Sequence, residues 1–170
     1  VAAAGSVWFA SESHLASFAR PPAFTMAIPT DAVAIARGLH LVKTRGCGGC
    51  HGEDLQGQPM WGYAVAPNLA QLARTASASD IEAALRHGIG HDGKALYSMP
   101  AFSFVRLSDT DVADIIAYLR SVPPAPRELP DATLPWGIRV NLARGTDQAI
   151  AGFLDRVPPL QRSGDDPLAR

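Results

Sequence analysis

The sequence is poor in cysteine and in charge, and both shortages limit what the protein can be. Its 170 residues include only two cysteines, which excludes a disulfide-rich scaffold and a four-cysteine metal site. Charged residues make up 18% and the formal net charge is −1, which excludes a globally basic nucleic-acid-binding protein. No stretch reaches the roughly 18 apolar residues of a membrane-spanning helix. Because 47% of the residues are hydrophobic, we expect one domain with a buried core.

The first ten residues are apolar, but they do not form a complete signal peptide. No basic residues precede this run, and Gly5 and Ser6 interrupt it. Two interpretations stay open. Residues 1–10 are either a mature N-terminus or the remainder of a signal or anchor removed upstream of Val1.

Proline divides the chain into three zones. Residues 1–30 contain three prolines and show little periodicity, which favours an extended N-terminal arm. Residues 31–121 carry helical patterns and form the expected compact domain. Residues 122–170 hold eight of the fourteen prolines, which favours a mostly irregular tail with one short helix near 148–155.

Capping residues and apolar spacing predict three helices in the central zone. Each helix begins at a polar cap, and the expected caps are Thr30 or Asp31, Ser79 with Glu82, and Ser108 with Asp111. Gly88 is expected to end the second helix and Pro123 the third. No run alternates as a strand does, so the sequence predicts an all-α fold with long loops over 52–69 and 90–107. Loops of this length in a compact domain usually wrap around something.

The segment Cys47-Gly48-Gly49-Cys50-His51 is the strongest functional signal. It has the C-x-x-C-H spacing of c-type haem attachment. Two thiols three positions apart lie on one side of a helical turn, where each can add to a haem vinyl group. The adjacent histidine can then bind the iron as the proximal ligand.

Other uses of the two cysteines fit the sequence less well. A thioredoxin-like redox pair needs a βαβ setting, and no strand is predicted upstream. A zinc site would need two further ligands, and the remaining histidines form no suitably spaced pair. A structural disulfide would leave His51 without a role.

Met99, within Tyr97-Ser98-Met99-Pro100, is the candidate for the second iron ligand. A thioether is a soft ligand that suits haem iron, and pairing with histidine is typical of electron transfer. Met99 lies in a loop between two capped helices, beside a proline that restricts the backbone. The competitors are Met60, nine residues after His51, and Met26 in the arm. The structural alternative is that Met99 fills a gap in the core.

Four further residues are candidates for haem contacts. Pro67 can aim its carbonyl oxygen at the second ring nitrogen of His51, although it could equally be an ordinary loop proline. Trp61, Arg86 and Tyr97 could reach the haem propionates. Spacing alone does not establish these three contacts, and Arg86 could equally be a solvated helix residue.

The order of these features resembles that of the class I c-type cytochromes over residues 31–121. The matching features are Gly38, the C-x-x-C-H motif, Pro67-Asn68-Leu69, Met99-Pro100 and a last helix with Tyr118. The resemblance implies an all-α class I cytochrome c fold of three to five helices around one haem c, attached through Cys47 and Cys50. It implies that His51 and Met99 bind the iron. It also implies that Gly38 lets the first helix cross the last one closely, beside Tyr118.

The sequence is most similar to cytochrome subunits or domains that serve periplasmic dehydrogenases. This resemblance implies single-electron transfer rather than catalysis, as the electron-accepting subunit of a dehydrogenase complex that passes electrons to a downstream cytochrome or oxidase. A free soluble electron shuttle, a haem-based ligand sensor and a haem-free thiol redox protein are the alternatives. The implied location is periplasmic, with membrane association through a removed N-terminal anchor as a further expectation.

The arm and the tail exceed what a minimal cytochrome needs. Their large apolar residues either dock on a partner or pack back on their own domain. These residues are Trp8, Phe9, Phe18, Phe24, Trp136, Ile138 and Phe153. The central zone has eight Lys and Arg residues against nine acidic residues, so it lacks the lysine ring expected for strong electrostatic steering.

Overall fold

The computed structural model describes residues 2–154, 156 and 157. Val1, the Asp155 end of the predicted last helix and the tail beyond residue 157 lie outside the described residues. The secondary structure is mainly helical, as predicted. Its helices are α1 (Ala2–Leu15), α2 (Ala32–Thr44), α3 (Cys47–His51), α4 (Leu69–Thr75), α5 (Ala78–His87), α6 (Asp109–Ser121), α7 (Trp136–Arg144) and α8 (Ile150–Leu154). A 3₁₀ turn covers Ala101–Ser103, and strands β1 (Gln58–Met60) and β2 (Ala64–Ala66) form a hairpin.

Helices α2 and α6 cross closely at Gly38. A Cβ atom at this position would collide with the carbonyl oxygen of Asp114 and would lie 2.7 Å from the Cβ of Tyr118. Only glycine therefore fits at the crossing, and the close approach beside Tyr118 expected from the sequence is confirmed. Beside the crossing, Arg37 Nε lies 2.6 Å from Asp114 Oδ2, which pairs the buried carboxylate across the two helices.

The main hydrophobic cluster lies between α2, α5 and α6. Its buried members are Val42, Leu55, Ala73, Ile81, Leu85, Phe104, Leu107, Val112, Ile115, Ile116 and Leu119. We call this set the main cluster. Seven of these residues lie on α2, α5 and α6, so the burial of one face of each helix stabilises the domain. The other four, Leu55, Ala73, Phe104 and Leu107, come from α4 and the connecting segments.

Helix caps agree with the sequence at α2 and α6 and differ at α5. Asp31 accepts hydrogen bonds from the first turn of α2, and Ser108 with Asp111 forms the expected capping box of α6. Helix α5, however, begins two residues earlier than predicted, with a capping box of Ser77 and Asp80. The expected pair of Ser79 and Glu82 is wrong because the spacing occurs twice in succession, and the earlier copy adds helical hydrogen bonds.

The predicted long loop over 52–69 contains regular structure that the sequence did not indicate. The hairpin β1–β2 pairs Pro59 with Val65 at its centre. Strands of three residues are too short to show an alternating pattern, which explains why no strand was predicted. Helix α4 follows at once, capped by the side chain of Asn68.

The arm and the tail form helices that pack against each other, which corrects the prediction of an extended arm and a mostly irregular tail. Helix α1 occupies residues 2–15 of the arm, and α7 lies in the tail in contact with it. The apolar residues of α1 are not confined to one face of the helix, so the arm shows no helical periodicity in the sequence. Only α8 was expected, within 148–155.

A second hydrophobic cluster joins the arm and the tail to the domain. We call it the second cluster; its buried members are Leu15, Ala83, Ile89, Ala95, Leu142, Ala149 and Ala151. Phe18 and Ile138 pack against it, and Phe24 packs against the main cluster, so these three residues pack back on the chain. Phe9 is 74% exposed and Trp8, Trp136 and Phe153 are also exposed. In the described part of the chain, no helix is both long enough and apolar enough to span a bilayer.

Candidate haem-binding site

The two cysteines lie on one short helical turn. Helix α3 begins after Gly46, whose φ of 72° is left-handed, and ends at Gly52, whose φ is 82°. Cys47 and Cys50 are free thiols, and both side chains are half-buried. A Cβ placed on Gly49, between them, would meet nothing within 4 Å. Because Cys47 and Cys50 are three positions apart on this turn, both thiols lie on one side of it, as attachment to a single macrocycle requires.

His51 is 8% exposed and is held by one hydrogen bond. Its Nδ1 lies 2.9 Å from the carbonyl oxygen of Pro67. Because a carbonyl oxygen can only accept, Nδ1 carries the proton and donates it, which leaves Nε2 as the ring nitrogen for a metal. Burial lowers the pKa of His51 despite this hydrogen bond, so the neutral, metal-binding form is favoured. The hydrogen bond expected between His51 and Pro67 is present.

A polar network fixes the loop that carries Pro67. The amide N–H of Gly57 donates to the carbonyl of His51 over 2.8 Å. Gln56 is buried, and its Oε1 accepts hydrogen bonds of 2.8 Å from Asn68 Nδ2 and from the backbone N–H of Ala125. Residues of the tail therefore help to hold the loop that binds the ring of His51. Sequence reasoning missed Gln56, because nothing local marks a polar residue as a buried hub.

Met99 lies in the segment between α5 and α6, two residues before the 3₁₀ turn. It is half-buried and packs against the main cluster, as Cys47 also does. Met60 instead lies in β1, where its sulfur is 3.6 Å from Gln58 Nε2, and Met26 is 39% exposed. Of the three methionines, Met99 is thus the one that packs on the same cluster as the cysteine turn.

Tyr97 and Arg86 are held by protein partners. The hydroxyl of Tyr97 donates to Asp147 over 2.7 Å, and burial together with this hydrogen bond raises the pKa of Tyr97 to about 12. Arg86 Nε lies 2.7 Å from Glu82 Oε1, and its Nη1 lies 2.8 Å from Asp109. These contacts tie each side chain to another residue of the fold. The expected contacts of Tyr97 and Arg86 with the haem propionates stay predictions.

Trp61 occupies the turn of the hairpin. Its side chain is 61% exposed, and its ring centroid lies 6.3 Å from that of Tyr63. Its φ of 50° is left-handed, which is unusual for a residue of this size. A propionate contact of Trp61 also stays a prediction.

The donor groups described above are of the types that a c-type haem uses. Two half-buried thiols, a neutral imidazole with Nε2 available and a half-buried thioether are the groups that such a cofactor uses. Burial raises the pKa of the Cys47 thiol. Reactive redox dithiols have a lowered pKa instead, so the site fits haem attachment better than thiol chemistry.

A small helical fold around a C-x-x-C-H turn and a distant methionine defines the class of haem-carrying electron-transfer proteins. The family model for cytochrome c matches residues 35–123, which is more than half of the chain. The chain belongs to the cytochrome c family. This domain carries covalently bound haem c and transfers electrons.

Three curated relatives are similar to this chain over about two thirds of its length. The fructose dehydrogenase cytochrome subunit of Gluconobacter japonicus is 31% identical over 69% of the chain, and the match covers 28% of that protein. The gluconate 2-dehydrogenase cytochrome c subunit of Pantoea cypripedii is 29% identical over 63% of the chain and 27% of its own length. A dihaem cytochrome c-type protein of Cereibacter sphaeroides is 28% identical over 63% of the chain and 43% of its own length. The chain thus spans less than half of each relative. No solved structure gives a significant match.

Proposed function

We propose that this chain is the electron-accepting cytochrome component of a periplasmic dehydrogenase complex. Two of its relatives are named as cytochrome subunits of a fructose and a gluconate dehydrogenase, which supports this assignment over a free shuttle. In this proposal Cys47 and Cys50 would hold haem c through their thiols, and His51 and Met99 would bind its iron. When bound, haem c takes up and releases single electrons.

The hydrogen bond from His51 to Pro67 is the observation that carries the site assignment. It fixes the ring orientation and the tautomer before any metal is bound, because Nδ1 is committed to the carbonyl oxygen. Gln56 Oε1 accepts a hydrogen bond from Asn68, the residue after Pro67, and so helps to hold the loop that supplies this oxygen. The chain therefore preorganises Nε2 as a proximal ligand, and little rearrangement is needed during electron transfer.

Met99, which lies far from His51 in the sequence, completes the proposed set of iron ligands. Its half-buried position on the main cluster limits access of water. A sulfur ligand that stays bound leaves no open coordination position for oxygen or peroxide, so the chain would carry electrons without reducing oxygen. Histidine and methionine ligation also raises the reduction potential, which suits an acceptor of electrons from a dehydrogenase.

Docking on the dehydrogenase is assigned to exposed apolar side chains rather than to charge. Phe9, Trp8 and Trp136 are exposed on the two helices of the arm and the tail. Exposed aromatic side chains are common anchors of protein interfaces. The near balance of acidic and basic residues in the chain gives little electrostatic steering, so we expect the association to depend weakly on ionic strength.

The first experiment is a reduced-minus-oxidised absorption spectrum, with the denatured mass of protein made together with cytochrome-maturation machinery. We expect a low-spin c-type spectrum and a mass raised by one haem. Met99→Ala should lose the spectral features of methionine ligation and lower the reduction potential, whereas Met60→Ala serves as the matched control and should change neither. The reverse result would move the ligand to Met60.

The dehydrogenase assignment needs a separate measurement. The holoprotein should co-purify from its source cells with an oxidoreductase, and addition of that enzyme's sugar or sugar-acid substrate should reduce the haem. A holoprotein that stays alone, and that is reduced only by other soluble proteins, would favour the free shuttle instead.

A further inference from the structure

The arm and the tail both bind the short segment that leads to Met99. The backbone N–H of Ala95 donates to the carbonyl of Leu15 in the arm over 2.8 Å. The carbonyl of Leu96 accepts from the N–H of Ile150 in the tail, also over 2.8 Å. The hydroxyl of Tyr97 then donates to Asp147 over 2.7 Å. Three consecutive residues are thus tied to the extensions, and the last of them is separated from Met99 only by Ser98.

The two hydrophobic clusters meet at this segment. Tyr97 packs against the second cluster, whereas Met99 packs against the main cluster. Helix α8 also contacts the 3₁₀ turn that follows Met99. The chain is therefore fixed by tail contacts on both sides of the methionine, so displacing Met99 would strain the tail contacts as well.

The arm and the tail are joined to each other at Arg139. This side chain is 6% exposed, and its Nη1 lies 3.0 Å from Ser11 Oγ and 2.8 Å from Glu12 Oε1. The guanidinium carbon lies 3.5 Å above the ring of Trp8. Glu12 also pairs with Lys94, one residue before the tied segment, over 2.6 Å. The extensions therefore form one connected unit with the methionine segment.

We propose that the arm and the tail act as a clamp that holds Met99 on the haem iron, with the hydrogen bond between Tyr97 and Asp147 as its link closest to the ligand. This inference rests on the proposed assignment of Met99 as an axial ligand. Tyr97 is a positioning residue in this account, since it acts through the backbone that carries Met99. Its effect is on how often the sixth position opens, rather than on the identity of the ligand.

The test is the binding of imidazole to the oxidised holoprotein, because imidazole can bind only when Met99 has left the iron. Tyr97→Phe keeps the ring and removes one hydrogen bond to a carboxylate. We expect it to raise imidazole affinity about tenfold, as the loss of such a bond allows. Asp147→Ala should give a similar rise. The double variant should rise no further, since both changes remove the same link.

Two further variants separate this inference from other causes. Arg127→Ala removes a different tail contact, at Asp54 and the carbonyl of Gly57, and should leave imidazole affinity within about twofold of wild type. In a Met99→Ala background, where no ligand needs to leave, Tyr97→Phe should have no effect on imidazole affinity.

The outcomes separate a failure of the ligand assignment from a failure of the clamp. A Met99→Ala variant with wild-type spectrum and potential would overturn the ligand assignment and the clamp together. If Met99→Ala opens the site but Tyr97→Phe binds imidazole as wild type does, the clamp alone is overturned. A rise on Tyr97→Phe that persists in the Met99→Ala background would also overturn it, because Tyr97 would then act elsewhere than through Met99.

Discussion

The main cluster and the second cluster are stabilised in different ways. The main cluster fills the space between capped, periodic helices, and its tightest contact is a backbone approach at Gly38. The second cluster joins the arm and the tail to the domain, and beside it the buried Arg139 of α7 contacts Ser11 of α1, 128 residues away in the sequence. We call α2 and α6 with the main cluster the main region, and α1 and α7 with the second cluster the second region. The main region buries a carboxylate, Asp114, whereas the second region buries a cation, Arg139.

This difference predicts which of the two regions unfolds locally first. A buried cation is costly unless its partners are in place, so the α1–α7 interface depends on a few contacts. The main cluster instead distributes its stabilisation over many apolar side chains. We therefore expect the second region to open locally at a lower free energy than the main region.

The largest expected effect is a collapse of the main region on Gly38→Val. The new side chain would collide with the backbone of Asp114, so α2 and α6 would have to separate. We expect a loss of more than about 3 kcal/mol in the free energy of unfolding, measured by denaturant titration of the holoprotein.

The matched control is Gly5→Ala in α1. A Cβ atom at Gly5 meets nothing within 4 Å, so the change should raise helix stability by about 0.5–1 kcal/mol. A Gly38→Val protein as stable as wild type would show that the crossing is not the tight point of the main region.

The same difference between the two regions determines which parts of the fold could be predicted from the sequence. The central helices could be predicted from the local sequence, because Asp31, Ser108 and Gly88 are caps next to periodic apolar residues. The error at Ser79 arose from two overlapping capping patterns, which only packing can separate. In the structure, Ser79 Oγ instead accepts from the backbone N–H of Phe24 in the arm. Helix α1 has no such local signal, because its stability depends on α7.

The candidate site also combines parts that the local sequence predicts with parts that it does not predict. The spacing of Cys47, Cys50 and His51 predicts its own chemistry, because the three residues are neighbours on one turn. The link between Tyr97 and Asp147 could not be predicted, because it joins residues 50 positions apart and no motif contains both. The ligands are thus encoded locally, and the contacts that hold their loops are not.

A smaller and local effect is expected from Arg139→Ala. The variant loses the hydrogen bonds to Ser11 and Glu12 and the contact with the Trp8 ring, a loss of about 2 kcal/mol. Hydrogen exchange should accelerate in α1 and α7, while amides of α2 and α6 keep their protection.

Arg144→Ala is the control for this change, because Arg144 is an exposed residue of the same helix and its loss should cost less than about 0.5 kcal/mol. Equal acceleration of exchange in α6 would show that the two regions open together, which would contradict the lower opening free energy expected for the second region.

The smallest expected effect is a loosening of the second region in acid. Hydrogen bonds from Lys94 and Arg139 lower the pKa of Glu12, so its contribution is fully present above about pH 4.5. The contribution is lost as the pH falls from there through the lowered pKa, because protonation removes the charge that both cations contact. Since Glu12 is a quarter exposed, solvent screening keeps the change small. The NMR signals of the Trp8 indole and of the amides of α1 should report it, with Glu12→Gln as the control that does not respond in this range. If the amides of α6 shift at the same pH as those of α1, the acid response belongs to the whole molecule and Glu12 is not its cause.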